Sequence, residues 1–447
     1  MEELQQDNMR EAQELPQKQV KEFASLEDCL EKIPKGFTIF EGVIKELSFV
    51  NPDKSAKRNQ FLHDDDKKTD RKALLRKLEM WADSLASTDN VADVVSNATK
   101  KAEASDALLK KNVKKALNEG HELEESYTAL DLFYKNSGEK KMKNLTIVNA
   151  SIDNLTNGDE YYKLISDEIE ECYERLDLSD NYSLMCVPGY FGKSSKLERY
   201  GRLAHNNKLQ LITDSADEDT PDDAVTNFES EKFTGMDAYK SNVVMLANHF
   251  IMRDSYKEYG ETKQMVVSPA GGYAGRVYAT NMSQPVAGTK YGTIYNVGAV
   301  KYKLKQGELS KFDEIGLVPM VHEFGKVMPY SSKTLNNGDN IGFQTYSVVR
   351  VFDYINKVLR HYLNQRSFEK WDTQFEKDVQ EAIIKFLDGI KGKDKLIEKF
   401  NLSRFERDPE DKTKVYMDLH ITPYFPAKSF QITLDGHSGK DMVTKES

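Results

Sequence analysis

The segment Tyr182–Thr213, YSLMCVPGYFGKSSKLERYGRLAHNNKLQLIT, carries an apolar stretch, a glycine-containing turn, a helical repeat and a second apolar stretch in one run. YSLMCV and KLQLIT read as buried strands, and between them Leu197, Tyr200 and Leu203 recur at helical spacing. Upstream, LTIVNAS (Leu145–Ser151) predicts a further short buried strand. After it, Tyr161, Ile165, Ile169, Cys172 and Leu176 share one helical face. Strand–helix–strand units of this length pair in parallel through right-handed crossovers. The sequence therefore predicts an α/β fold (α+β overall) with a parallel βαβ core layer.

The same segment raises the question of a nucleotide site, because Gly192-Lys193-Ser194 follows a strand and opens a helix. A P-loop wraps phosphates with backbone N–H groups and needs its first glycine five residues before the second. That position is Val187; Gly189 falls two residues late, and Pro188 has no N–H to offer. Asp214 stands only loosely where a magnesium-binding acid would. The loop reads as a tight βα turn with Lys193 in solvent, and a nucleotide-binding enzyme using residues 189–195 remains the weaker alternative. GGYAG (Gly271–Gly275) is likewise not a dinucleotide fingerprint, and its small residues predict a helix packed closely on another backbone.

Other chemistry finds no frame. HDDD (His63–Asp66) reads as a solvated charge run, and His322-Glu323 lacks the second histidine of a zinc helix. His249, His361 and His420 lie in ordered segments and read as structural. Ser194 and Ser195 lack the Gly-x-Ser-x-Gly frame, and Cys172 and Cys186 read as core cysteines. No cofactor, metal or catalytic residue is expected. The net charge of −10 argues against general binding to nucleic acid. No run reaches the about 18 apolar residues of a membrane span, and MEELQQDNMREAQELPQ is no signal peptide. Three cysteines without paired spacing, Cys29 among them, point to a reducing cytoplasm.

Pattern changes divide the chain into an arm and linker (1–50), a helical region (51–118), an α/β core (119–335) and a C-terminal part (336–447). GFTIFEGVIKELSFV (Gly36–Val50) has β-type character. Leu74, Leu75, Leu78, Trp81 and Leu85 mark one helix, and a second runs from about Ser105 with a break near Gly120. In the C-terminal part, one helix stacks Val348, Phe352, Ile355, Leu359 and Tyr362. The next stacks Trp371, Phe375, Val379, Ile383 and Phe386. Alternation at Val415, Met417, Leu419 and Ile421, then at Phe430, Ile432 and Leu434, predicts a terminal β-strand pair.

Several of these segments resemble one family. GLVPMVH (Gly316, Pro319, His322) resembles its Gly-Phe-x-Pro-Leu-x-His motif. RVFDYINKVLR resembles its Arg-Phe-x-His-Tyr-Leu-Lys-x-Ile-x-Arg motif at Arg350, Tyr354 and Arg360. KWDTQF with Trp371, and LHITPYFPAKSFQITL, resemble the segments that close it. The family is the large subunit of the type VI secretion contractile sheath (TssC/VipB), in a divergent form such as those of Bacteroidetes. Asp353 departs from it, standing where the family has histidine, and so does FGKVMPYSSKTL.

The resemblance implies a sheath-like fold without catalysis. It implies a heterodimer with a TssB/VipA-like small sheath subunit, polymerised with further copies around an Hcp-like inner tube. It also implies a membrane-anchored baseplate and disassembly by a ClpV-like AAA+ ATPase, all in the cytoplasm without direct membrane insertion. A subunit of another phage-tail-derived contractile machine is the alternative. Under this reading Val415, Met417, Leu419, Ile421, Phe430, Ile432 and Leu434 exchange strands between subunits. Leu78, Trp81 and Leu85 then face the small subunit or, equally, an intrachain helix.

Overall fold

The computed structural model describes residues 61, 63–86, 90–138, 142, 144–428, 433–438 and 441–446. The expected arm at 1–50, Cys29, and Phe430 and Ile432 of the expected strand pair lie outside the described residues. The chain divides into two compact units, 1–115 and 116–447.

In the first unit, a 3-10 turn at Asp65–Lys67, capped by Asp64, leads into helix α1 (Lys68–Ala86). On α1, Leu74, Leu75 and Leu78 are half-buried, while Trp81 is exposed. Helix α2 (Val91–Asn136), whose residues from Ala116 on belong to the second unit, is continuous over 46 residues, so the expected break at Gly120 does not occur. A helical glycine costs only about 1 kcal/mol relative to alanine, and the Lys-, Ala-, Leu- and Glu-rich flanks absorb that cost.

In the second unit, Leu145–Ser151 is not a strand. Leu145, Ile147 and Val148 are exposed, and Asn144 and Thr146 bond through their side chains to Asp180 and Tyr182. β-type composition does not make a strand without a ladder to join. Helices α3 (Ile152–Asn157) and α4 (Glu160–Glu174) follow, and Leu176 falls beyond the end of α4, exposed. Strand β1 (Leu184–Tyr190), helix α5 (Ser194–Asn206) and strand β2 (Gln210–Asp214) then form the expected unit, with β1 and β2 parallel. Helix α6 (Pro221–Ser230) is capped by Thr220 with Asp222 and Asp223 in its first turn, where the helix dipole favours them. Strand β3 (Val243–Ala247) completes the central trio.

Two short strands, β4 (Phe250–Arg253) and β5 (Met265–Val267), precede helix α7 (Ala270–Ala279), the GGYAG segment. After α8 (Gly288–Tyr291), strand β6 (Ala299–Val300) joins β4 and β5 in a small antiparallel sheet. Helix α9 (Gln306–Ile315) leads to β7 (Leu317–Glu323) and β8 (Lys326–Pro329). The main sheet runs β1-β2-β3-β7-β8, parallel except for the last pair. Period-two alternation splits its residues between two cores. Met185, Leu211, Val243 and Met245 meet α5 and α6 through Leu197, Tyr200 and Phe228. Ile212, Val244, Leu246 and Val318 meet α7 and the end of α2 through Tyr273, Val277 and Leu132.

Helix α7 lies against α2 through glycine. A Cβ on Gly271 would stand 2.2 Å from the Ala129 carbonyl oxygen, and one on Gly275 would stand 2.3 Å from that of Phe133. A fork of charge fixes the same neighbourhood. Arg253 on β4 donates to both carboxylate oxygens of Glu124 on α2, each at 2.7 Å, and to Glu261 at 2.8 Å. Such two-pronged pairs combine charge with fixed geometry.

Helix α10 (Ile341–Gln344) precedes α11 (Tyr346–Gln365), which packs on α12 (Thr373–Ile390). The buried stripe of α11 is Val348, Val351, Ile355 and Leu359; Phe352 is exposed. Trp371 lies ahead of α12, against Phe375 and Phe405. Strand β9 (Ile397–Arg407) pairs antiparallel with β10 (Val415–Pro423), so the first half of the expected terminal pair finds its partner upstream. Met417, Leu419 and Ile421 of β10 pack toward α11 and α12. Leu434 belongs to β11 (Thr433–Ser438), which pairs with β12 (Asp441–Glu446).

The glycine contact makes a direct prediction. Gly271→Ala and Gly275→Ala should each cost about 1–3 kcal/mol in urea unfolding, the range of overpacking. Gly120→Ala, where an added Cβ meets nothing within 4 Å, should be neutral or stabilising. Equal effects at all three positions would refute the close approach.

Candidate functional site

Two places gather polar chemistry. The first is the turn that opened the sequence question. Gly189 and Gly192 adopt φ of 114° and 80°, the left-handed region that glycine tolerates. The Gly189 N–H donates at 2.8 Å to Asp214 Oδ2, which also accepts from the Ser268 hydroxyl. Ser268 Oγ accepts in turn from the Ala270 N–H at 3.1 Å, at the start of α7. Thr213 Oγ1 donates to the Gly189 carbonyl. The backbone donor that a phosphate would require is therefore held by a carboxyl of the same chain, and Lys193 is exposed ahead of α5. The sheet order also lacks the reversal at which α/β sheets open a ligand crevice. The turn is structural.

Asp214 is fully buried, and burial pushes its carboxyl up to about 7. Bonds from Ser268, Gly189 and Ala270 oppose that rise without cancelling it. Its Oδ1 has no partner among the described residues.

The second place is a cleft of about 300 Å³ where the N-terminal end of β2 meets one flank of α11. Arg350, Asp353, Lys357 and His361 line it from α11 at steps of three and four, the spacing of one helical face. Lys208 and Gln210 line it from the turn before β2 and the start of that strand. Asp353 accepts from Asn242 Nδ2 at 2.7 Å, and burial raises its carboxyl above the usual range. Burial likewise pushes the Lys357 ammonium down to about 8, while it donates to the Tyr182 carbonyl. His361 Nδ1 accepts from the Leu178 N–H at 3.0 Å.

The motif residues are distributed through the architecture. Gly316 ends α9 at φ 85°, and a Cβ there would stand 2.8 Å from the Thr334 carbonyl oxygen. Pro319 sits in β7 opposite Ala247 of β3, and His322 is exposed near the end of β7. Tyr354 packs near Phe386, and the Arg360 guanidinium lies over the Tyr173 ring at 4.6 Å. Only Arg350 and Tyr354 reach the cleft. Motif reading missed Lys208, Gln210 and Lys357; the signal available was the polar spacing of Arg350, Asp353 and Lys357 beside the apolar stripe. Among the described residues no cluster of metal-binding side chains occurs, and no helix is long and apolar enough to cross a membrane.

Three family models match consecutive stretches of the chain. Residues 23–113 match the TssC/VipB-like N-terminal region, 115–337 the type VI secretion system TssC/VipB central domain, and 345–447 the TssC/VipB-like C-terminal domain. No curated protein matches the sequence. Among solved structures, the baseplate of the anti-feeding prophage is similar at 15% identity and TM-score 0.47, covering 70% of this chain and 80% of that one. The contracted helical sheath of the same prophage is similar at 17% identity and TM-score 0.47, covering 68% and 80%. A sheath tail protein from Desulfitobacterium hafniense is similar at 11% identity and TM-score 0.40, covering 69% and 65%.

Asp214 gives a pH prediction. Its folded value lies above its unfolded value, so its contribution is fully present below the unfolded value near 3.8 and is lost as pH rises through about 7. Asp214→Asn, which cannot ionise, should therefore gain stability over the wild type more at pH 8 than at pH 5. The expected difference is on the order of 2 kcal/mol in urea unfolding. An equal difference at both pH values would show that Asp214 is not held protonated.

Proposed function

The chain belongs to the TssC/VipB family, and from that premise we propose that it is the large structural subunit of a type VI secretion contractile sheath. It polymerises with a small sheath subunit around an inner tube, and contraction of the lattice propels that tube. The observation that carries this is the run of three family matches in register along the chain. The work is done in the cytoplasm on a membrane-anchored baseplate, and an AAA+ ATPase recovers the spent subunits. No step in it calls for catalysis.

The unpaired strand edges support this reading. Among the described residues, β10 pairs only with β9, and β9 adds one isolated bridge from Ile397 to Lys391. Each outer edge presents a row of N–H and C=O groups, the template on which a strand from another chain adds. A net contribution of about 0.5–1.5 kcal/mol per hydrogen bond makes an added strand of the length of β10, nine residues, a firm tether. Its bonds are to backbone, so it holds while the domains at either end turn. Val415, Met417, Leu419 and Ile421 then serve as the local anchor, with Leu434 and the neighbouring Phe430 and Ile432 in the exchanged part. The α1 face bearing Leu78, Trp81 and Leu85 is our candidate contact for the small subunit.

Co-expression with the small subunit encoded beside it should give tubules in negative-stain micrographs. Deleting Asp411–Ser447 should leave soluble heterodimers without tubules, as judged by size-exclusion chromatography and microscopy. Truncation after Lys428 keeps β9 and β10 and separates loss of the strand pair from loss of the last hairpin. Intact tubules after the larger deletion would sink strand exchange.

A further inference from the structure

The cleft between α11 and the start of β2 has polar groups that the chain itself does not satisfy. Gln210 is 1% exposed, yet neither its Oε1 nor its Nε2 has a partner among the described residues. Asn181 Oδ1, on the same wall, is unpartnered as well. Arg350 brings five N–H donors, and among the described residues its one side-chain hydrogen bond is a long 3.4 Å contact to the Val277 carbonyl. No carboxylate lies within ion-pair distance of Arg350, Lys357 or Lys208 among the described residues. Asp353, the one acid on the wall, is already held by Asn242, and its burial favours the neutral form. Three cations therefore face at most one anion around a buried amide.

A buried polar group left unpaired costs about 1–3 kcal/mol, and more when it is charged. A cation entering the cleft would meet the like charges of Arg350, Lys208 and Lys357, and an apolar group would leave the donors there unpaired. A group with several acceptor oxygens and a negative charge removes the donor side of that cost, because the Arg350 guanidinium, the Lys208 ammonium and the Gln210 Nε2–H can all donate to it. The volume is at the lower end for ligand pockets, enough for one such group and a short stem.

We propose that this cleft is an oxyanion site, taking a carboxylate or phosphate group between Arg350, Lys208 and Gln210. Two sources share that chemistry: a free anion, or an acidic side chain of another chain packed against the cleft. The site stands on the geometry of this chain alone. Only the assembly arm of the test rests on the sheath reading.

The test is thermal unfolding of the full-length protein in sodium phosphate and in sodium succinate, each against sodium chloride at equal ionic strength. One or both anions should raise the midpoint by about 2 °C at tenfold excess over Kd. Lys208→Gln, at a half-buried turn, should abolish the rise without lowering the midpoint in chloride. Gln210→Leu should abolish it too while leaving the protein in chloride as stable or more so, since an unpaired amide is gone.

In tubule assembly with the small subunit, Lys208→Glu should abolish tubules but not heterodimers if another chain supplies the anion. Tubules that persist, together with a midpoint shift lost in the variants, assign the site to a free anion. The proposal is overturned if neither anion shifts the midpoint and Lys208→Glu assembles as the wild type does. A shift that survives in both Lys208→Gln and Gln210→Leu overturns it equally, as an adventitious ion only.

Discussion

Two backbones meet without side chains between them where Gly271 and Gly275 face the carbonyls of Ala129 and Phe133. This approach sets the height of α7 above the sheet, because the same short helix packs Tyr273, Ala274 and Val277 into the core formed with β2 and β3. The position of α7 fixes Ser268 just ahead of it, and Ser268 meets the buried carboxyl of Asp214. Asp214 in turn holds the end of β1 through the Gly189 N–H. A chain of contacts thus runs from one helix pair to the C-terminal ends of β2 and β1. Arg253 closes the loop by clamping β4 to Glu124 of α2.

Local order in the sequence announced much of this. The strand–turn–helix–strand of Tyr182–Thr213 was legible because its elements are contiguous and its apolar periods switch cleanly from two to 3.6. The close-packing role of GGYAG was legible because successive glycines have few other uses in a helix. What failed needed a partner that sequence does not display. LTIVNAS has the composition of a strand, but nothing in the described chain offers it a ladder. Strand β9 escaped notice because Ser403 is an extra residue opposite the Asp418–Leu419 step, so the apolar alternation of Phe400 and Leu402 resumes one place late at Phe405. The cleft was invisible for a related reason: Gln210 and Arg350 are far apart in sequence, and an amide without a partner leaves no pattern.

The residues whose motifs resemble those of the TssC/VipB family do architectural work. Gly316 turns a helix into a strand where no side chain fits, Pro319 lies within the parallel ladder, and Trp371 joins α12 to β9 through Phe405. A structural subunit is expected to constrain its sequence at such joints and at its edges rather than around a reaction centre. The polar chemistry fits that picture, since Asp214 spends its hydrogen bonds on the chain itself.

The extra residue at Ser403 has a mechanical meaning. A two-stranded ribbon pulled along its length fails by sliding, and a regular ladder can slide in steps of two residues and re-form its bonds with the same faces inward. A bulge has no equivalent place one step along. Moving β10 past β9 would have to carry the irregularity with it or leave Ser403 inside a regular ladder, with its Oγ torn from the Asp418 carbonyl that it now meets at 3.2 Å. The register shift between Thr422 and Pro423 is a second such tooth. The hairpin is therefore keyed against slippage, and a tensile load on the C-terminal end passes into the α11–α12 pair as a push on packed side chains rather than as a creep of one strand along another.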